Sequence, residues 1–238
     1  SHEKAIVNGL NMWSQGATWV DIGGESTRPN ADYVSQQDEL DRVLPVIIGL
    51  RKVNPDGLIS IDTRRPEVAR QAIAAGADMV NDVSGLRDPE MINVVLESGC
   101  AVCIMHMQGE PKNMQQHPKY KDVTNNVLEF FIEKIGKLRE LGVKDIILDP
   151  GFGFGKTTQH NYQLLQKIAI FKILDLSLLV GVSRKSMIYK ILNSTPDEAL
   201  NGTTVLNTLA LERGAKILRV HDVKEAQETI TLWKQLNQ

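Results

Sequence analysis

The sequence predicts an α/β fold in which short parallel strands alternate with helices and close into a (β/α)8 TIM barrel. Two observations predict the alternation: helical stretches that end at a glycine and lead into short apolar runs, and amphipathic segments between those runs. A third observation favours closure. Nearly every apolar run ends in polar residues. A closed barrel brings the carboxyl ends of all its strands together at one end, whereas an open sheet binds ligands mainly with the strands beside its switch point.

Five predicted strands follow a glycine that can take the left-handed conformation and so end the preceding helix. These glycines are Gly16, Gly76, Gly99, Gly142 and Gly214. Two further strands, Leu58–Asp62 and Leu178–Ser183, lack such a glycine but have the same apolar content. The total of seven strands is one fewer than a closed barrel needs.

The predicted helices lie between these strands, and the first runs from about Glu3 to Gln15. Proline suits the first turn of a helix, so Pro66 and Pro89, each followed by a glutamate, predict two helix starts. A longer helix is predicted from Asp122 to Leu141, where apolar residues recur at three- and four-residue steps. Because the chain opens on a helix, we expect a first strand and its loop to precede Ser1 and to be missing from this sequence.

Length and composition bound the class of protein. The 238 residues suit one barrel of about 250 residues, so we expect a single domain over residues 1–238. Lys and Arg total 27 against 29 for Asp and Glu, a balance that argues against a nucleic-acid or membrane-surface partner. Two cysteines are too few for a disulfide-stapled secreted domain, and no apolar run is long enough for a membrane span. We therefore expect a cytoplasmic protein.

The segment from Asp149 to Thr157 has three glycines and ends in Gly-Lys-Thr, yet it does not fit the Walker phosphate loop. That loop needs a glycine five residues before its Gly-Lys-Thr, and Pro150 occupies this position. A carboxylate at a strand end, followed by a glycine-rich turn, is better suited to ligand capture. The alternative is an ordinary solvated turn.

Two other segments also carry candidate binding groups. Asp21–Pro29 is a strand end that runs into a loop of small and polar residues, or else an ordinary turn. Arg219 and His221 lie two residues apart on a predicted strand and hence on one face, where they suit a phosphate or pyrophosphate. Ser183–Ser186 adds a lysine and two hydroxyls. The alternative for His221 is a core histidine with a satisfied partner.

Together these segments resemble the dihydropteroate synthase family of pterin-binding enzymes. Seven strings carry the resemblance, in the family's order and spacing: DIGGESTRP (Asp21–Pro29), SIDT (Ser60–Thr63), GADMVNDVSG (Gly76–Gly85), MHMQG (Met105–Gly109), LDPGFGFGKT (Leu148–Thr157), GVSRKS (Gly181–Ser186) and ILRVHDV (Ile217–Val223). They extend over essentially the whole chain.

The resemblance implies a (β/α)8 barrel and a transferase of folate biosynthesis. This enzyme would join hydroxymethyl-dihydropterin pyrophosphate to p-aminobenzoate, release pyrophosphate and be a sulfonamide target. The resemblance also implies Mg2+ as cofactor and a homodimer. The expected magnesium ligand lies in the first-strand segment that is missing here, so no metal ligand is assigned within this sequence.

Roles for individual residues also follow from the resemblance. The residues implied to bind the pterin are Asp62, Asn81, Val83, Met105, Asp149, Phe154, Gly181, Lys185 and Arg219. Those implied to bind pyrophosphate are Ser26, Thr27, Arg28, Arg219 and His221. Those implied to bind p-aminobenzoate are Thr27, Arg28, Pro29, Phe154, Lys185 and Ser186. The implied catalytic residues are Lys185, Arg219, His221 and Asp62, which would act mainly by electrostatic stabilisation and positioning.

Two alternative functions stay open from the sequence. A pterin-binding methyltransferase of the corrinoid-linked group would share the barrel and part of the pterin pocket. The pair Arg219 and His221, with Ser183–Ser186, fits a pyrophosphate leaving group better than a methyl donor. A catalytically inactive barrel that serves as a binding or scaffold protein is the second alternative.

Overall fold

A computed structural model of the chain describes residues 1–26, 33–109, 114 and 118–237. The fold is α/β, and it divides into two compact units. The first unit comprises Ser1–Met105 and Gly136–Ile146, and the second comprises His106–Ile135 and Ile147–Gln238. Three predicted site residues lie outside the described residues, namely Thr27, Arg28 and Pro29.

Seven strands lie in the described part of the chain, as the sequence predicted. They are β1 (Trp19–Gly23), β2 (Leu58–Asp62), β3 (Met79–Asp82), β4 (Ala101–Met105), β5 (Ile146–Asp149), β6 (Ser177–Val180) and β7 (Ile217–Leu218). In the first unit β1 pairs with β2, β2 with β3, and β3 with β4, all in parallel. In the second unit β5 pairs with β6 and β6 with β7, also in parallel.

The helices alternate with these strands. They are α1 (His2–Ser14), α2 (Gln36–Val53), α3 (Pro66–Ala74), α4 (Pro89–Ser98), α5 (Val123–Glu140), α6 (Thr158–Lys167), α7 (Ser186–Tyr189), α8 (Leu200–Glu212) and α9 (Val223–Leu236), with a 3-10 helix at Ile168–Leu174. The helices α3 and α4 begin at the two predicted prolines. Within the described ranges, no helix has the length and apolar character needed to cross a membrane.

The five glycines predicted to end helices all have left-handed φ values, from 67° at Gly99 to 114° at Gly76. Gly99 shows the mechanism most directly, because it is the C-cap of α4 and its N–H donates to the Val95 carbonyl at 2.9 Å. A residue without Cβ adopts this conformation without a steric penalty. The helix-to-strand transitions were therefore predictable from local backbone preference.

The strands are buried apolar elements that hold the residues at their carboxyl ends. Ile59 and Ile61 of β2 and Val80 of β3 are fully buried, as expected for parallel strands covered by helices. The same is true of Ile47 and Leu50 on α2. Polar side chains at the ends of such strands are attached to a rigid support.

The prediction that Arg219 and His221 share the face of a strand is wrong, because β7 ends at Leu218. The Arg219 N–H still donates to the Val180 carbonyl at 2.9 Å, but the His221 N–H donates to the Ser183 hydroxyl at 3.2 Å. A side chain thus replaces the strand ladder after Arg219. β6 also ends earlier than predicted, at Val180 rather than at Ser183.

Candidate active site

The glycine-rich turn after β5 begins at a buried carboxylate. Asp149 ends β5 with 8% of its surface exposed, and its Oδ1 accepts the Gly151 N–H at 2.8 Å. Burial raises the pKa of Asp149 above its usual range, while the charges of Lys185 and Arg219 act in the opposite direction. A buried carboxylate near cations is suited to bind a ligand edge that presents adjacent N–H donors.

The side chain of Lys185, which follows β6, contacts this turn. Its Nζ donates to the Phe152 carbonyl at 2.6 Å and lies 5.0 Å from the centre of the Phe154 ring. A Cβ placed on Gly181 would lie 3.7 Å from both Lys185 Nζ and Arg219 Cβ, so Gly181 leaves room for these two side chains. The structure therefore brings together five of the predicted pterin residues, namely Asp149, Phe154, Gly181, Lys185 and Arg219.

A buried ammonium group holds the turn together. Lys156 is 2% exposed, and its Nζ donates to the carbonyls of Gly151 at 2.9 Å and Phe154 at 3.1 Å. The same nitrogen lies 3.1 Å from His106 Nδ1. Burial lowers the pKa of Lys156 to about 7. Lys156 was not predicted as a site residue, because its only local sequence signal is the Gly-Lys-Thr string, which does not fit a phosphate loop.

Two glycines let the turn lie directly on the backbone of residues 106–108. Gly151 and Gly155 have φ values of 72° and 58°. A Cβ on Gly151 would overlap the His106 carbonyl oxygen, and one on Gly155 would overlap the Gln108 carbonyl oxygen. The turn therefore needs glycine at both positions, for its conformation and for its close packing.

Two side-chain pairs join the segments that follow β6 and β7. Ser183 Oγ lies 2.9 Å from His221 Nδ1, and Arg184 forms a two-point ion pair with Asp222, with N···O distances of 2.8 and 2.9 Å. These contacts hold Ser183 and Arg184, the two residues before Lys185, in place. His221 is exposed, so the alternative of a core histidine is wrong although the ring does have a partner.

The Arg184–Asp222 pair makes stability depend on pH. The hydrogen bond from Arg184 holds the pKa of Asp222 below its usual range, so the folded state binds fewer protons than the unfolded state. The contribution is present above about pH 4 and is lost as the pH falls through the folded-state pKa. We expect Asp222→Asn to lower the Tm by about 2 °C at pH 7. Thermal unfolding followed by circular dichroism measures this.

The control is Asp56→Asn, because Asp56 is exposed and lies on another loop. Its Tm should match that of the wild type at every pH. The difference in Tm between the Asp222→Asn variant and the wild type should become smaller as the pH falls. A difference in Tm that stays constant from pH 7 to pH 3 would contradict the stabilising role of the charged Asp222.

In the first unit, the predicted pterin residues lie at the ends of neighbouring strands. Asp62 ends β2 and is in register with Asn81 of β3. Val83 follows β3 and Met105 ends β4. Asn81, Val83 and Met105 are all buried, at 3%, 4% and 2% exposure. Of the other predicted residues, Ser26 is exposed beyond β1 and Ser186 is the first residue of α7.

Asp21 was not predicted as a site residue, although it contacts one. Its carboxylate accepts the Ser60 hydroxyl at 2.7 Å and the Asn81 Nδ2 at 3.3 Å. The sequence signal that could have identified it is a charged residue inside an otherwise apolar strand. Such a residue needs polar partners on the neighbouring strands.

A cluster of charged residues follows β1. Arg64 Nε lies 3.0 Å from Glu25 Oε2, and Arg65 contacts Glu25, the buried Glu39 and the Val34 carbonyl. Partial burial acts to raise the pKa of Glu25, but the hydrogen bonds and charges of the two arginines hold it below its usual value. The cluster therefore anchors Glu25 within the DIGGESTRP string.

Known proteins share the sequence and the fold of this chain. The family described as pterin binding enzyme matches residues 1–221. A dihydropteroate synthase of Escherichia coli (strain K12) is 47% identical over 228 residues, which are 95% of this chain and 80% of that protein.

Among solved structures, the Yersinia pestis dihydropteroate synthase in a sulfonamide drug complex has a TM-score of 0.96 and 42% identity, with 100% of this chain and 86% of that chain covered. The Xanthomonas albilineans enzyme with 4-aminobenzoic acid has a TM-score of 0.93 and 39% identity, with 99% and 85% covered. The chain therefore belongs to the pterin-binding enzymes and, among them, to the dihydropteroate synthase family of transferases.

Proposed function

We propose that this chain joins hydroxymethyl-dihydropterin pyrophosphate to p-aminobenzoate, giving dihydropteroate and pyrophosphate in folate biosynthesis. The observation that carries the proposal is the buried Asp149 carboxylate beside the cation of Lys185 and the ring of Phe154. The small molecules named with solved relatives support it, since these are a sulfonamide drug, a pterine-sulfa conjugate and 4-aminobenzoic acid.

The pterin is the substrate that suits Asp149. Its guanidine-like edge presents adjacent N–H donors, which a carboxylate accepts in a bidentate pair. Lys185 would reach the ring carbonyl and N5, and Arg219 would stack its planar guanidinium on the ring. The resemblance to the family also assigns pterin contacts to Asp62, Asn81, Val83 and Met105.

The reaction breaks the C–O bond between the pterin methylene group and pyrophosphate and forms a C–N bond to p-aminobenzoate. The electron pair of the C–O bond leaves with pyrophosphate, and the pterin ring delocalises the positive charge on the methylene carbon. The uncharged aniline nitrogen attacks this carbon and then loses a proton to water, so no strong general base is required.

The protein would act on this reaction mainly by electrostatics and positioning. Arg219 and His221, with Ser26, would stabilise the negative charge of the departing pyrophosphate. Lys185, Phe154 and Ser186 would frame p-aminobenzoate. Thr27 and Arg28 would share both roles, and Pro29 would share the second; all three lie outside the described ranges.

Mg2+ enters the proposal as a counterion of pyrophosphate, whose oxygens are the hard ligands this ion prefers. In residues 1–26, 33–109, 114 and 118–237, no three His, Cys, Asp or Glu side chains lie close enough together to hold a metal ion.

We further propose that the whole protein is a single (β/α)8 barrel domain that forms a homodimer in the cytoplasm. The parallel strands alternate with helices along the chain, which is the pattern of such a barrel. Val205 and Leu209 are exposed one turn apart on α8, an apolar surface that a second copy would bury. The free thiols of Cys100 and Cys103 agree with a reducing compartment.

Pyrophosphate release tests the reaction. We expect release only when both the pterin pyrophosphate and p-aminobenzoate are present, because the amine must capture the methylene cation. A sulfonamide should raise the KM for p-aminobenzoate and leave kcat unchanged. Chelation of Mg2+ should stop release, and added Mg2+ should restore it. Release that persists without the amine would contradict the proposal, and a methyl transfer would release no pyrophosphate.

A further inference from the structure

Asp21, Ser60 and Asn81 connect three neighbouring strands of the first unit. Asp21 on β1 is in register with Ser60 on β2, and its Oδ1 accepts the Ser60 hydroxyl at 2.7 Å. The other carboxylate oxygen accepts Nδ2 of Asn81, on β3, at 3.3 Å. Both oxygens of Asp21 therefore face donors on adjacent strands.

This contact determines how the Asn81 amide is oriented. A carboxylate has only acceptors, so the amide can approach Asp21 only with its NH2 group. The Asn81 Oδ1 is therefore turned away from Asp21. It is buried and has no hydrogen-bond partner in the described part of the chain, and Asn81 as a whole is 3% exposed. A buried acceptor without a partner is costly, and a ligand that donates an N–H removes this cost.

We propose that Asp21 is a specificity-determining residue that acts through Asn81. By fixing the amide, it makes the site present an acceptor at this position, so the site selects a ring with an N–H donor over a ring with an unprotonated nitrogen. The inference rests on the proposed function, in which Asn81 contacts the pterin. Asp21 is thus a positioning residue that touches Asn81 rather than the reacting atoms.

The Asp21→Asn variant tests the inference because it keeps the size of the side chain and adds a donor. The Asn81 amide can then turn over and present its NH2 group. We expect the KM for the pterin substrate to rise about tenfold, the value of one hydrogen bond, with little change in kcat or in the KM for p-aminobenzoate.

Selectivity gives a readout that a purely structural role would not change. Calorimetric titration would compare a pterin with a series of analogues, each lacking one ring N–H. The wild type should lose affinity for one analogue of the series, and the Asp21→Asn variant should bind that analogue and the pterin with similar affinity. Asp21→Ala, which also frees the amide, is a second variant with the same expected loss of selectivity if Asp21→Asn does not fold.

Two further variants complete the test. Ser60→Ala keeps the contact between Asp21 and Asn81 and should bind the pterin within about twofold of wild type. In an Asn81→Ala background, Asp21→Asn should add no further loss, because its effect passes through the missing amide. If the losses of pterin affinity in Asp21→Asn and Asn81→Ala were additive in the double variant, or if Asp21→Asn kept the selectivity of the wild type, the inference would be overturned. Wild-type pterin affinity in Asn81→Ala would instead show that the proposed role of Asn81 is wrong, and the inference would fail with it.

Discussion

Replacing Lys185 with alanine is expected to lower kcat/KM by about 1,000-fold, the loss typical of a main electrostatic group. Lys185 Nζ contacts the Phe152 carbonyl and the Phe154 ring. Its charge is also the largest influence that opposes the rise of the Asp149 pKa on burial. The variant thus loses a cation next to the substrate and weakens the charged form of Asp149. Steady-state pyrophosphate release measures the effect.

The control for this variant is Lys190→Ala, which removes an exposed lysine at the end of α7. Its kcat/KM should equal that of the wild type. Lys185→Met keeps the apolar stem and loses only the charge, so it should be nearly as inactive as Lys185→Ala. Turnover close to normal in Lys185→Ala would refute the role of this residue.

Replacing Asp149 with asparagine is expected to weaken pterin binding by about 30- to 1,000-fold, because a buried charge-assisted pair loses its charged acceptor. The amide keeps the shape of the carboxylate and can still accept the Gly151 N–H. Calorimetric titration with a pterin measures the loss in the absence of turnover.

Stability should respond to this substitution in the opposite direction. Because burial raises the pKa of Asp149, this carboxyl group destabilises the fold as the pH rises above its unfolded-state pKa of about 4, and the loss is complete above the folded-state pKa. The Asp149→Asn variant should therefore melt at or above the wild-type temperature at pH 7. Asp145→Asn, at an exposed position before β5, is the control and should keep full affinity. A large loss of Tm in Asp149→Asn would mean that weak binding reflects damage to the fold.

Local preferences explain which parts of this structure could be predicted from sequence. Gly99 ends α4 because glycine accepts a positive φ, and Pro89 begins the same helix because its missing N–H is not needed there. Both effects depend on one residue and its neighbours. The grouping of Asp149, Lys185 and Arg219 was likewise predictable, since Asp149 ends one strand and the other two residues follow neighbouring strands of the same parallel series.

Features that depend on distant contacts could not be predicted in this way. The end of β7 is set by the Ser183 hydroxyl, which takes the His221 N–H out of the strand ladder. The environment of Lys156 depends on His106, fifty residues earlier in the chain. The position of Asp21 next to Asn81 depends on three strands being in register. Neither composition nor periodicity carries this information.

The two tightly packed glycines of the turn after β5 affect how freely the chain can vary during evolution. Gly99 has a similar left-handed φ, but a Cβ there would meet nothing within 4 Å, so asparagine could replace it at modest cost. By contrast, replacing Gly151 or Gly155 with alanine would place a methyl group on a backbone carbonyl oxygen. We therefore expect substitutions that alter ligand preference to fall on the side chains around this turn, and glycine to be retained at positions 151 and 155.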